Sequence, residues 1–80
     1  MKKVIIYTTD SCIPCKMLKN ALLAYHANFS NILVINDVDE LKKEGVTTVP
    51  TILFVEDDIV KDIVMGVKPD IRDKILEWSK

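Results

Sequence analysis

Four short apolar runs set the tightest limit on what this chain can fold into: Val4 to Tyr7, Ile32 to Ile35, Thr51 to Glu56 and Ile59 to Val64. Each is rich in β-branched residues and closed by polar or turn-forming ones, which reads as a strand. After the first run the period changes. Ile13, Met17, Leu18, Ala21, Leu22 and Tyr25 recur on one helical face, with Lys16, Lys19 and Asn20 opposite, so a helix is predicted from about residue 12 to 27. Asp37 with Glu40 three positions on predicts a capping box, and Gly45 a stop, giving a short helix over 38–44. Asp57-Asp58 between the last two runs predicts a hairpin, although the glycine usual in a tight turn is missing. Pro69 ahead of Ile71, Ile75, Leu76 and Trp78 predicts a final amphipathic helix that begins at the proline.

The predicted order is therefore βαβαββα. Right-handed crossovers make the first two strands parallel and the hairpin adds antiparallel ones, so the expectation is an α/β fold with a mixed four-stranded sheet and helices on both faces. Eighty residues suit one domain, residues 1–80, near the lower limit for a chain that buries a core unaided.

Eleven basic and twelve acidic residues leave a formal charge of -1, so no net field draws the chain to nucleic acid or anionic lipid. The opening Met1 to Ser11 carries two lysines and only four successive apolar residues, too few for a signal-peptide core or a membrane span. A cytoplasmic monomer is expected. Two cysteines in a reducing compartment do not make a structural disulfide scaffold, so the pair needs another reason.

Cys12 and Cys15 lie just after the first strand, at the first turn of the predicted helix, in the segment YTTDSCIPCK. Free N–H groups and the positive end of the helix dipole favour thiolate over thiol there, and Lys16 adds a cation. Cys12 is thus placed as a nucleophile and Cys15, deeper by a turn, as a resolving thiol. Pro14 stiffens the pair at a position where a helix loses no donor. Two other readings use the same residues. The cysteines are buried small hydrophobes, or they hold a soft metal such as copper or zinc, as a carrier would. A structural zinc needs four ligands where the chain offers only His26 beyond the pair, and haem attachment needs histidine where Lys16 stands, so no metal and no cofactor are expected.

Val49-Pro50 sits directly before the third strand, where a residue without an N–H is well placed. Base rates alone favour a trans bond. YTTDSCIPCK resembles the active-site segment of the thioredoxins and glutaredoxins, and GVTTVPTILFVEDD resembles the thioredoxin strand that opens on a cis-proline. MGVKPDIRDKILEW is similar to the thioredoxin glycine turn and final helix, and its Gly-x-x-Pro-Asp to the glutaredoxin-like hydrogen donors of ribonucleotide reductase. The resemblance covers nearly the whole chain in order. It implies a minimal thioredoxin fold and a dithiol/disulfide oxidoreductase that reduces protein disulfides. Cys12 attacks, Cys15 resolves, Pro50 is cis beside them, Thr48 and the Val49 backbone pair with an extended substrate, and Gly66 lets the substrate chain approach. Electrons are expected from a thioredoxin-reductase-like flavoenzyme or, as the second choice, from glutathione.

The departures carry information. Ser11 stands where thioredoxins have tryptophan, and Ile6 where they have a buried acid, so the resolving thiol lacks that proton acceptor. Water or Asp10 is left as the candidate. Thr9 stands where glutathione-using glutaredoxins have a basic residue, and of their glycine and acid motif only Gly66 and Asp70 are present. Among the remaining residues, Ile13 between the cysteines is expected to be exposed and to meet a protein substrate. Tyr7 lines the groove or fills the core, Trp78 packs in the core, Asp57-Asp58 is a solvated turn, and His26 is given no role. A thioredoxin-fold binding module without turnover is a third reading, and it predicts an ordinary Cys12 thiol.

Overall fold

The computed structural model describes all residues, 1–80. The elements are β1 (Lys2–Tyr7), α1 (Ile13–Ala24), a 3-10 turn (Phe29–Asn31), β2 (Ile32–Ile35), α2 (Val38–Lys43), β3 (Thr51–Glu56), β4 (Ile59–Met65) and α3 (Ile71–Trp78). The strands form one mixed sheet in the order β2-β1-β3-β4, with β1 and β2 parallel and the other pairs antiparallel. This is the expected βαβαββα order.

Alternation along the strands separates the two faces. Val4, Ile6, Ile32, Ile52 and Phe54 point to one side and form the core with Leu18 and Leu22 of α1 and Ile71 and Ile75 of α3. The other side carries Tyr7, which shares a groove of about 320 Å³ with Glu44, Gly45 and Val46 just beyond α2. Helices thus lie on both faces. β3 is buried on both, at Thr51, Ile52, Phe54 and Val55. No helix is long and apolar enough to cross a membrane.

Two helix ends depart from the expected ones and a third keeps its place but changes its cap, each for a local reason. α1 stops at Ala24 rather than running to residue 27, because His26 adopts a left-handed φ of 56°. The N–H of Ala27 then reaches Leu22 O at 3.0 Å and that of His26 reaches Leu23 O at 3.1 Å, the double closure of a Schellman end. α2 is capped by Asp37 as expected, but its carboxylate accepts from Asp39 N at 2.9 Å instead of forming the box with Glu40. Its stop is Gly45, at φ 72°, a conformation that a side chain strains. α3 begins at Ile71, since Pro69 sits in the turn that Ile71 N closes onto Lys68 O at 3.1 Å.

The hairpin forms without glycine. Asp57 and Asp58 have φ of 52° and 66°, the paired left-handed residues of a tight primed turn, and aspartate tolerates that region better than most side chains. A register shift follows, with Phe54 opposite Asp62 and Val55 opposite Val60, so Lys61 is the extra residue of a bulge. Beside it the Trp78 indole N–H is shared between Lys3 O and Val55 O, both at 3.1 Å, which ties α3 to β1 and β3. The Trp78 ring meets Phe54 edge-on, with centroids 5.7 Å apart.

Candidate active site

The helical stripe that faces the core is Cys15, Leu18 and Leu22. That is rotated from the expected face of Ile13, Met17, Leu18, Ala21, Leu22 and Tyr25, so Ile13, Met17 and Tyr25 lie outside it and are exposed. The rotation has a chemical consequence, because it turns Cys15 inward and Ile13 outward.

Cys12 is the N-cap of α1, in extended conformation, and its Sγ accepts the Cys15 backbone N–H at 3.2 Å. A sulfur therefore occupies the place usually taken by a capping oxygen, where the helix end favours negative charge. The two cysteines are joined as a disulfide with Cα atoms 5.2 Å apart. Cys12 is 9% exposed and Cys15 3%, so a partner approaching from solvent reaches Cys12 first. Pro14 is in the first turn of α1 as expected. Lys16 is exposed, and among all 80 residues its ammonium forms none of the ion pairs.

The Val49-Pro50 bond is cis, and Pro50 is buried. Its carbonyl accepts from Gly66 N at 2.7 Å, which fastens the end of β4 to the loop. The Thr51 hydroxyl donates to Thr48 O, bracing the same loop from within. Neither the N–H nor the C=O of Val49 takes part in a backbone hydrogen bond. Gly66 has φ of 81°, and a methyl built there meets nothing within 4 Å. Glycine is thus required by backbone conformation and not by crowding inside the chain, and the space beside it is open.

Sequence reasoning missed part of the apolar rim. Met17 (67% exposed) and Val67 (49%) are exposed as Ile13 (68%) is. Pro14, Met17 and Val67 line a groove of about 230 Å³ between α1 and the segment leading to α3, with Lys68 and Arg72 at its edge. Met17 was assigned to the core by its spacing. Only the rotation of the helix distinguishes the two placements.

Tyr7 is buried on the sheet face away from α1, so it fills that face and does not line this groove. Burial, and then the carboxylates of Glu44 and Glu40, push its phenol above the ordinary 10.0. A raised phenol contributes stability that is fully present below the unfolded value and is lost as pH rises through the folded one. In a Tyr25→Phe background, the phenolate absorbance of folded protein should have its midpoint above about 10. Adding Tyr7→Phe should flatten the alkaline loss of stability, and a midpoint at the unfolded value would contradict this assignment.

A mixed sheet with a Cys-x-x-Cys disulfide at a helix start and a cis-proline loop is the arrangement of the thiol-disulfide oxidoreductases of the thioredoxin/glutaredoxin superfamily. The glutaredoxin family model matches residues 4–60, and the chain belongs to that family. A thioredoxin H-type from Oryza sativa subsp. indica is 33% identical over 92% of this chain and 66% of its own length, so the chain spans just under two thirds of that curated relative. Among solved structures, a thioredoxin from Nicotiana alata is 29% identical with a TM-score of 0.72, over 99% of this chain and 74% of the other. Thioredoxin O2 from Arabidopsis thaliana in the oxidized state superposes with a TM-score of 0.71 at 20% identity, over 100% of this chain and 76% of its own, and shows likeness of fold alone.

Proposed function

We propose that residues 1–80 act as one thioredoxin-like domain that reduces protein disulfides through Cys12 and Cys15. The observation that carries this reading is the asymmetry of the pair: Cys12 at the rim on a helix N-terminus, Cys15 beneath it. In the reduced protein the Cys12 thiolate attacks a substrate disulfide, forming a mixed disulfide and releasing one substrate thiolate. The Cys15 thiolate then attacks Cys12 Sγ, the intermolecular bond breaks, and the second substrate thiolate leaves. Two electrons have passed to the substrate and the Cys12-Cys15 disulfide has formed.

Substrate recognition falls to Ile13, Met17 and Val67 for apolar contact and to the unpaired Val49 backbone for strand addition, with Thr48 and Gly66 flanking. Lys16 and Pro14 support the pair. The donor that restores the dithiol is a thioredoxin-reductase-like flavoenzyme, with glutathione as the second choice because Thr9 supplies no cation for its carboxylate. The protein acts as a monomer in the cytoplasm, a setting in which a two-cysteine chain keeps its pair reducible.

Alkylation of the reduced protein against pH tests the reading, run alongside reduction of insulin. Cys12 should titrate below the free-thiol value of about 8.5. The pair's potential should fall within about -180 to -270 mV. An ordinary Cys12 thiol with no insulin turnover would leave only a binding module.

A further inference from the structure

The resolving step needs a proton acceptor, because Cys15 must become a thiolate before it can attack. Nothing beneath it serves. On its core side Cys15 shares a gap of about 10 Å³ with Ile6, Thr8, Leu18, Lys19, Leu22, Phe29 and Val34, room for one water at most and with no carboxylate in its wall. A second crevice reaches the same residue from the side, between the ends of β1 and β2 and the first turns of α1. It measures about 140 Å³ and is lined by Thr8, Thr9, Asp10, Cys15, Lys16, Lys19, Val34 and Asn36. That is room for more than one water, with polar groups on most sides.

Within this crevice the choice of acceptor is narrow. Its charged groups are Asp10, Lys16 and Lys19, and beside Cys15 the other lining residues, Thr8, Thr9, Val34 and Asn36, are uncharged. An ammonium has no lone pair to offer, and threonine and asparagine are not bases at neutral pH. Asp10 is the remaining group. Its carboxylate is held in place by Asn36, whose Nδ2 donates to Oδ1 at 3.0 Å across the mouth of the crevice. The two lysines line the crevice with Cys15 and Asp10.

We propose that Asp10 is the proton acceptor for Cys15, acting through solvent in the crevice. It takes the thiol proton as Cys15 forms the bond to Cys12 and returns it to the departing substrate thiolate or to solvent, so no oxidant beyond the substrate disulfide is needed. The inference rests on the exchange reaction proposed above and goes beyond it, since it assigns the second step to a polar route that enters from the side of the helix. Asn36 is a positioning residue for that carboxylate.

The test separates the two steps by acid quench and mass spectrometry of the mixed disulfide, using reduced full-length protein and a peptide disulfide from pH 6 to 10. Asp10→Asn keeps the shape and the bond to Asn36. It should slow decay of the mixed disulfide by about 10- to 100-fold at pH 7, the lower reach of general-base effects, while its formation stays within about twofold. The deficit should shrink above about pH 8.5, where a free thiol ionises unaided. Asp10→Glu should recover part of the rate. Decay that is unchanged, or slowed by the same factor at every pH, would overturn the assignment while leaving the exchange reading intact. No mixed disulfide even in Cys15→Ser would overturn both.

Discussion

Cys15→Ser should turn the protein into a trap that stays covalently joined to its substrate. A serine hydroxyl cannot attack a disulfide, so the Cys12-substrate bond has no internal route to break. It should persist for the minutes to hours of uncatalysed exchange. The adduct would be read as a mass increase equal to the substrate chain, lost on adding dithiothreitol. Cys12→Ser should give no adduct and only background reduction, because Cys15 is 3% exposed and a substrate sulfur does not reach it. Turnover by Cys15→Ser at the unmodified rate would sink the dithiol scheme. It would mean that a thiol from solution resolves the intermediate, which is the glutathione route.

That outcome is coupled to how the helix is set on the sheet. Leu18 and Leu22 anchor α1 in the core, and the Arg72 guanidinium lies 4.3 Å from the centre of the Tyr25 ring, joining α1 to α3 on the outside. With those contacts fixed, residue 12 is left at the rim and residue 15 beneath it. The chemistry assigned to each sulfur follows from that rotation, since both carry the same side chain.

The order of elements was legible because short β-branched runs and helical spacing do not imitate each other over this length. The pairing of Cys12 with Cys15 and the cis bond before Pro50 were legible because residue type and position agreed. What stayed hidden was rotational. Ile13, Met17, Leu18 and Leu22 all fit one broad stripe in sequence, and only packing against Val4, Ile6 and Phe54 chose Cys15, Leu18 and Leu22 as its centre. Histidine carries little signal as a helix terminator, so the left-handed turn at His26 was not foreseen. The hairpin was foreseen, but the bulge at Lys61 was not, because an extra residue in one strand leaves no mark on alternation this short. The crevice at Asp10 joins residues 8–19 to 34–36, a juxtaposition made by the β1-β2 pairing.

Phe54→Ala should be the most damaging substitution outside the cysteines. Phe54 is fully buried, its ring meets Trp78 edge-on, and it belongs to the core that holds both α1 and α3 on the sheet. Removing a buried phenyl ring costs about 3–5 kcal/mol through lost transfer energy and the cavity left behind. At roughly 0.05–0.15 kcal/mol per residue, a chain this short has about 4–12 kcal/mol in total. The variant should therefore lose about a quarter or more of its stability and, at the low end of that range, unfold. Urea titration followed by Trp78 fluorescence would read the midpoint. Ile63→Ala is the control, because Ile63 lies on the same sheet but is 56% exposed, and it should shift stability by no more than about 0.5 kcal/mol. Equal losses for the two would mean that the face around Phe54 does not carry the core. In a Phe54→Ala protein that remains folded, Cys12 should alkylate at the unmodified rate, since the lost ring does not line the crevices beside the cysteines. Stability and reactivity separate in this fold because the core is centred on the sheet while the sulfurs sit at its edge.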